Sequence, residues 1–261
     1  AKFVSEIGYH GCPNIESLKK MMDMDFVYPW TNADKTSGKF LAGKEITSLV
    51  WNRQWQCKAT MTHPESEVNS QRNHLMTNQI NCVFGEVPTD LNQFITASQI
   101  VQAEAMKYFI EFWRMNKGDR NGILWWNLRD GWPIISDAIV DYYGGKKLAY
   151  HFIKQVQTDV CVMIGDAVSG KHPVVAVNDT RDDKKVEITI TDIESKRKIW
   201  SDEINIKANS KLNLANLPKP QGAQLWLIEY KTDGKVYKNH YMAYEAPLDF
   251  NKFSSWLTGL K

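Results

Sequence analysis

Cysteine is scarce, with four residues in 261: Cys12, Cys57, Cys82 and Cys161. They stand far apart and fit no zinc-ligand pattern. Free, mostly buried thiols are expected, although the sequence alone leaves a disulfide open. An excess of either charge is also missing. Lys and Arg number 32 against 30 Asp and Glu, for a formal net charge of +2. Neither a nucleic-acid partner nor an anionic membrane surface is indicated. No apolar run reaches the ~18 residues of a membrane span, and the first residues lack the regions of a secretory signal. His10 and His63 have no partner at metal-ligand spacing, so no metal is expected. A glycine-rich phosphate loop and a nucleophilic serine constellation are both absent, and no cofactor is expected. The chain shows no internal repeat and no low-complexity stretch.

What is present is apolar and aromatic. Hydrophobic residues make up 43% of the chain, enough for a substantial core at 30.1 kDa, in one large domain or two smaller ones. Ten tryptophans are a heavy load. Roughly two in three should fill cores, and the rest supply flat apolar faces of the kind that sugar sites use.

The first residues, Lys2-Phe-Val-Ser-Glu-Ile-Gly-Tyr9, alternate as a short strand over 3–7. Gly8, Gly11 and Pro13 then turn the chain. This leaves Glu6 as a lone acid near the end of a strand that runs on into a helix. Barrel enzymes place catalytic groups there, although a solvated strand-end carboxylate would look the same. A second strand, over 123–127, lies in Asn121-Gly-Ile-Leu-Trp-Trp-Asn-Leu-Arg-Asp-Gly-Trp-Pro-Ile-Ile135 and ends among polar and aromatic residues. Of its adjacent tryptophans, Trp125 and Trp126, one should face inward and one outward.

Between the strands the pattern is helical. Asn14 can cap a helix over 15–22 with Ile15, Leu18 and Met22 on one face. Residues 23–44 read as a long loop, with Tyr28 and Trp30 either lining a site or tacking the loop down. A helix is expected over 69–84, stopped by Gly85. Val87 to Asp90 makes a break and a new cap before a long helix over 91–116. Its apolar band comprises Phe94, Ile95, Ile100, Val101, Ala105, Tyr108, Phe109, Phe112 and Trp113. A short helix over 146–157 closes this part, and the alternation is that of a parallel α/β unit. The composition changes near residue 158. Strands are expected over 174–178, 186–193, 199–206, 212–214, 225–230 and 237–242, separated by turn signals such as Asp233-Gly234. Short strands so spaced indicate an antiparallel sandwich of immunoglobulin type.

The Ser5-Glu6-Ile7-Gly8 and Leu124 to Pro133 stretches together resemble the last two strands of the catalytic barrel of glycoside hydrolase family two. The likeness is to its β-mannosidase and exo-β-glucosaminidase branch, where the motifs read roughly Ser-Glu-aromatic-Gly and Tyr-Trp-Gln-Leu-Asn-Asp-x-Trp-Pro. Asp141-Tyr142-Tyr143-Gly144, Phe84 to Leu91 and Ala97-Ser98-Gln99 also match that branch. The resemblance covers nearly the whole chain. It implies an α/β part followed by an all-β part. Residues 1–157 would be the end of a (β/α)8 barrel, with its first six strands outside this chain, and residues 158–261 an immunoglobulin-like β-sandwich.

The same resemblance implies a retaining glycosidase and a carbohydrate partner. Retaining hydrolysis needs two carboxyl groups about 5–5.5 Å apart. Glu6 matches the nucleophile, Trp126 the tryptophan beneath the sugar, and Asp130 the aspartate near the substrate pocket. The family's acid/base glutamate follows an asparagine, and no Asn-Glu pair occurs in this sequence. Glu86 matches a non-catalytic part of the pattern and, placed before a helix, reads as a structural charge. Asn127 and Arg129 depart from the family's usual Gln and Asn, which leaves the sugar open between a β-mannoside and a β-glucosaminide. Arg129 is expected to pair with Asp130. The resemblance further implies secretion or a periplasmic home for a longer parent protein. Self-association through the incomplete barrel is expected. The alternative from another class is a non-catalytic carbohydrate-binding or interaction module.

Overall fold

The computed structural model describes residues 2–33, 49–60 and 71–260. The structure mixes helix and sheet, and its C-terminal part is rich in strands. By contact it divides into two compact units that do not follow chain order. One comprises Ala1–Ser5, Lys107–Ile123 and Phe152–Lys261; the other comprises Glu6–Met106 and Leu124–His151. Strands do begin at Val160, but the unit that holds them also takes in earlier segments.

The strand expected at the start is β1, Phe3–Gly8, and the tryptophan strand is β2, Gly122–Trp126. They pair as a two-stranded sheet. The pairing is parallel: the amide of Asn121 donates to the carbonyl of Lys2 at 2.7 Å, while Gly8 lies against the carbonyl of Trp126. Both strands therefore end on the same side.

Helix α1 is Ile15–Met21. Asn14 stands at its N-cap but makes no side-chain cap bond. Its amide is engaged elsewhere, donating to Lys146 O at 3.2 Å and accepting from Gln99 Nε2 at 2.8 Å. The expected loop begins with a 3-10 turn, Met24–Phe26, and its residues 34–44 lie outside the described residues. Trp30 settles the role of the loop aromatics. It is buried, edge-on to Phe94 at 4.8 Å and to Tyr28 at 5.7 Å, and it tacks the segment to the body. Helix α2, Arg53–Thr60, was not expected. Its entry is fixed by Asn52, whose carbonyl oxygen accepts from the Gln54 and Trp55 amides while its amide donates to Phe26 O and Tyr28 O.

Helix α3, Gln71–Phe84, ends as expected at Gly85, whose amide donates to Asn81 O at 2.8 Å. The expected start at 69–70 and His63 lie outside the described residues. Helix α4, Leu91–Met115, is capped by Asp90, which accepts from the Gln93 amide at 2.9 Å. Its buried face departs from the expected band in the second half. Met106, Lys107, Ile110 and Glu111 are buried, whereas Tyr108 is 43% exposed and Phe109, Phe112 and Trp113 are half-buried. Lys107 and Glu111 go inside because they pair at 2.7 Å and Glu111 also accepts from Asn239 Nδ2 at 2.7 Å. A buried charge is tolerated once it is paired and hydrogen-bonded. Helix α5 is Leu148–Val156.

Seven antiparallel strands follow: β3 Val160–Ile164, β4 Lys171–Asn178, β5 Lys184–Asp192, β6 Lys198–Ile206, β7 Ser210–Pro218, β8 Gln224–Thr232 and β9 Lys235–Ala243. They form a three-stranded sheet, β3-β4-β7, and a four-stranded sheet, β6-β5-β8-β9. One apolar core joins the two sheets, with Val162, Val174 and Ala176 from one and Ile188, Ile190, Trp226 and Ile228 from the other. The Asp233-Gly234 turn has positive φ at both residues, 49° and 73°. That twist suits a two-residue hairpin and sets the register of β8 on β9. Strand β3 was not expected, because an unbroken apolar run gives no alternation to read. The last helix, α6, Phe250–Leu257, was not expected either. Asp249 caps it, accepting from the Lys252 amide at 2.7 Å, and Phe253 and Trp256 are buried beneath it. All four cysteines are free; Cys12 and Cys161 are buried, but Cys82 is exposed.

Candidate active site

The candidate residues lie where β1 and β2 end. Glu6 is exposed, and its carboxylate has no hydrogen bond among the described residues. Across the pair, Trp126 is 51% exposed while Trp125 is half-buried. Of the ten tryptophans, five are buried and four half-buried, leaving Trp126 as the exposed one. The peptide bond from Trp126 to Asn127 is cis. Leu128 beyond it is 59% exposed.

The segment after β2 folds back on itself. Asn127 O accepts from the Ile139 amide at 3.1 Å, and Leu128 O from the Val140 amide at 3.0 Å. Asp130 is buried within this turn and accepts from Ser136 Oγ, whose own lone pair takes the Ala138 amide at 2.9 Å. Burial pushes the Asp130 carboxyl up, against the opposing pull of the Ser136 bond and the Lys147 charge. The expected pairing of Arg129 with Asp130 is not made. Arg129 donates to Tyr142 O at 3.0 Å instead, because the fold brings that carbonyl within reach of its guanidinium while Asp130 turns inward to Ser136. Glu86 is exposed between α3 and α4.

Four residues hold the strand ends together; the sequence carried no sign of Lys147 or Gln102, and it showed His10 and Asp141 without their partners. Lys147 is fully buried, and its ammonium donates to Gly11 O at 2.7 Å and Ser136 O at 3.0 Å. Burial lowers its pKa, opposed by the charges of Asp130, Cys12, Asp141 and Asp137. Gln102, from α4, donates to Tyr9 O and Asp137 O, both at 2.9 Å. His10 is buried and places Nδ1 3.3 Å from Asp137 Oδ1. Asp141 is buried and accepts from the Tyr143 and Gly145 amides, both at 2.9 Å, so the Asp-Tyr-Tyr-Gly motif is a tight turn built on its first residue. A side chain at Gly145 would collide with Asp141 Oδ2 at 2.4 Å. The arrangement presents an exposed carboxylate and an exposed indole on two paired strands with a braced turn beyond them.

No protein-family profile matches the chain. Curated relatives do. It is 44% identical over 77 residues to β-mannosidase B of Aspergillus niger, which is 28% of this chain and 9% of that protein. The β-mannosidase B of Aspergillus terreus is 42% identical over the same length. Among solved structures, the β-D-mannosidase of Dictyoglomus thermophilum matches with a TM-score of 0.71 at 26% identity, covering 94% of this chain and 28% of that one. An Amycolatopsis orientalis exo-chitosanase, solved with PNP-β-D-glucosamine, matches with a TM-score of 0.65 at 17% identity over 99% of this chain, a likeness of fold. The chain thus spans under a third of the length of the proteins it is similar to. In its motifs, in sequence over 77 residues and in fold, the chain is similar to the C-terminal region of glycoside hydrolase family two enzymes.

Proposed function

We propose that this chain is the C-terminal piece of a retaining exo-β-glycosidase acting on terminal β-mannosides or β-glucosaminides. In this reading β1 and β2 are the last two strands of a (β/α)8 barrel, and the seven antiparallel strands are an immunoglobulin-like sandwich that follows it in the sequence. Glu6 is the nucleophile. It attacks the anomeric carbon, displaces the leaving oxygen and forms a glycosyl-enzyme that water then hydrolyses. Trp126 lies under the apolar face of the sugar, and Asp130 shapes the pocket from beneath through Ser136. The observation that carries the reading is the placing of Glu6 and Trp126, both exposed, at the same end of two paired parallel strands. Barrel enzymes put their catalytic groups at that end.

The proton donor is proposed to come from a part of the protein outside this chain. General acid assistance is typically worth about 10²–10⁴-fold, so the purified 261-residue chain should give no useful hydrolysis of aryl β-glycosides. The decisive test is Glu6→Ala in the full-length protein. Hydrolysis should be abolished, and azide should partly rescue it by entering the vacated space, giving a glycosyl azide of inverted anomeric configuration. Near-normal turnover by Glu6→Ala would sink the assignment. Turnover by the isolated chain, lost in Glu6→Gln, would instead revive a second acid within it, such as Glu86.

A further inference from the structure

Two residues along a strand share a face, so the side-chain place of residue 8 lies beside that of Glu6, about 7 Å further along. Residue 8 is glycine, and its place is taken by another group. A Cβ built on Gly8 would meet Asp137 Oδ2 at 2.7 Å and Trp126 O at 3.1 Å. A carboxylate from the segment after β2 therefore occupies the position next to Glu6 on its own face of β1.

Asp137 is held there by named contacts. Its Oδ1 faces His10 Nδ1 at 3.3 Å, and its main-chain carbonyl accepts from Gln102 Nε2 at 2.9 Å. A carboxylate only accepts, so the His10 proton sits on Nδ1. Oδ2 has no hydrogen bond among the described residues, and the side chain keeps 21% exposure. Burial raises the Asp137 pKa, but the His10 hydrogen bond, with the charges of His10, Arg72 and Lys147, outweighs it and holds the carboxyl below its usual range. Such a group is an ionised acceptor at neutral pH and a poor general acid.

We infer that Asp137 is a specificity-determining residue whose free oxygen accepts hydrogen bonds from ring hydroxyl groups of the sugar that Glu6 attacks, with His10 as its positioning residue. The inference rests on the glycosidase reading above.

The test uses the full-length protein and an aryl β-glycoside that it turns over, together with the monodeoxy analogues of that glycoside. Asp137→Asn should lower kcat/KM on the parent glycoside by about 10–100-fold, the range of a lost charge-assisted hydrogen bond. On the analogue lacking the contacted hydroxyl the loss should shrink to near unity. A purely structural role would lower all substrates alike. His10→Gln should show the same substrate dependence at smaller amplitude. Should Asp137→Asn fail to fold, Asp137→Glu, which keeps the charge but moves it by a methylene, carries the same comparison. An equal loss on every analogue, or no loss on the parent, overturns the role of Asp137 and leaves the glycosidase reading standing. No turnover of any aryl β-glycoside by the wild type overturns both.

Discussion

Lys147 is a cation in a place that offers it no counter-ion by direct contact, only the two carbonyls of Gly11 and Ser136. Replacing it with Met keeps the stem and removes both donors. Ser136 O would still accept from the Gly11 amide at 3.2 Å, so the loss falls on Gly11 O. A buried carbonyl left without this partner costs about 1–3 kcal/mol, partly offset because the ammonium no longer has to be desolvated. Lys147→Met should therefore lose about 1 kcal/mol, read as a lower urea midpoint at unchanged m-value. His10 makes a prediction about acid. Burial, opposed by Asp137, holds its folded pKa below the ~6.5 of a free imidazole. As pH falls through that value the unfolded chain takes the proton first, so stability should be full above about pH 6.5 and decline below it. Melting temperatures between pH 7.5 and 5 should show the slope, and His10→Gln should flatten it. None of these partnerships was legible beforehand. His10 meets Asp137 across 127 positions and Lys147 meets Gly11 across 136, whereas sequence patterns report neighbours a few residues apart. Glu6, Trp126 and Asp130 could be singled out because they sit inside contiguous motifs.

At the scale of elements, α4 shows how a regular pattern misleads. Its aromatic positions Tyr108, Phe109, Phe112 and Trp113 look like a core stripe, yet the helix buries Lys107 and Glu111 instead. Read as a sequence, a lysine and a glutamate four apart are a solvent-facing pair. They are buried because Asn239 on β9 meets the glutamate and gives its remaining proton to Val162 O at 2.9 Å. The aromatic side is covered only in part, with the Arg120 guanidinium 4.8 Å from the Phe112 ring and 4.5 Å from that of Trp113. Glu111→Ala would leave Lys107 buried and unpaired and should cost about 3–5 kcal/mol. Glu111→Gln, which still accepts a hydrogen bond, should cost less. Chemical denaturation of the two variants side by side decides it. The elements that were legible carry local punctuation, such as Asp90 before α4, Gly85 after α3 and Asp233-Gly234 in the last hairpin. Those that were missed lack periodicity, as β3 does, or lie in short terminal stretches, as α6 does.

For the whole molecule, the two sheets of the seven-stranded unit share one apolar core, and that unit, with the earlier segments it takes in, should fold as a body of its own. The paired strands β1 and β2 are different. Phe3, Leu124, Trp126 and Leu128 are each more than half exposed, and a sheet that has two strands among the described residues is a ready site for further pairing. Limited proteolysis should cut in the unit of Glu6–Met106 and Leu124–His151 before it cuts the seven-stranded unit, and light scattering on the same sample should report association. A monodisperse monomer in which both parts resist equally would contradict this expectation. Trp126, the one indole of ten that is more than half exposed, also makes the molecule readable by light. Iodide does not enter protein cores, so it should quench chiefly this one emitter, at the red edge of the spectrum, and Trp126→Phe should remove most of the quenchable fraction. A sugar stacked on that ring would shield it, which turns a residue assigned by motif into an optical reporter of binding that works without turnover.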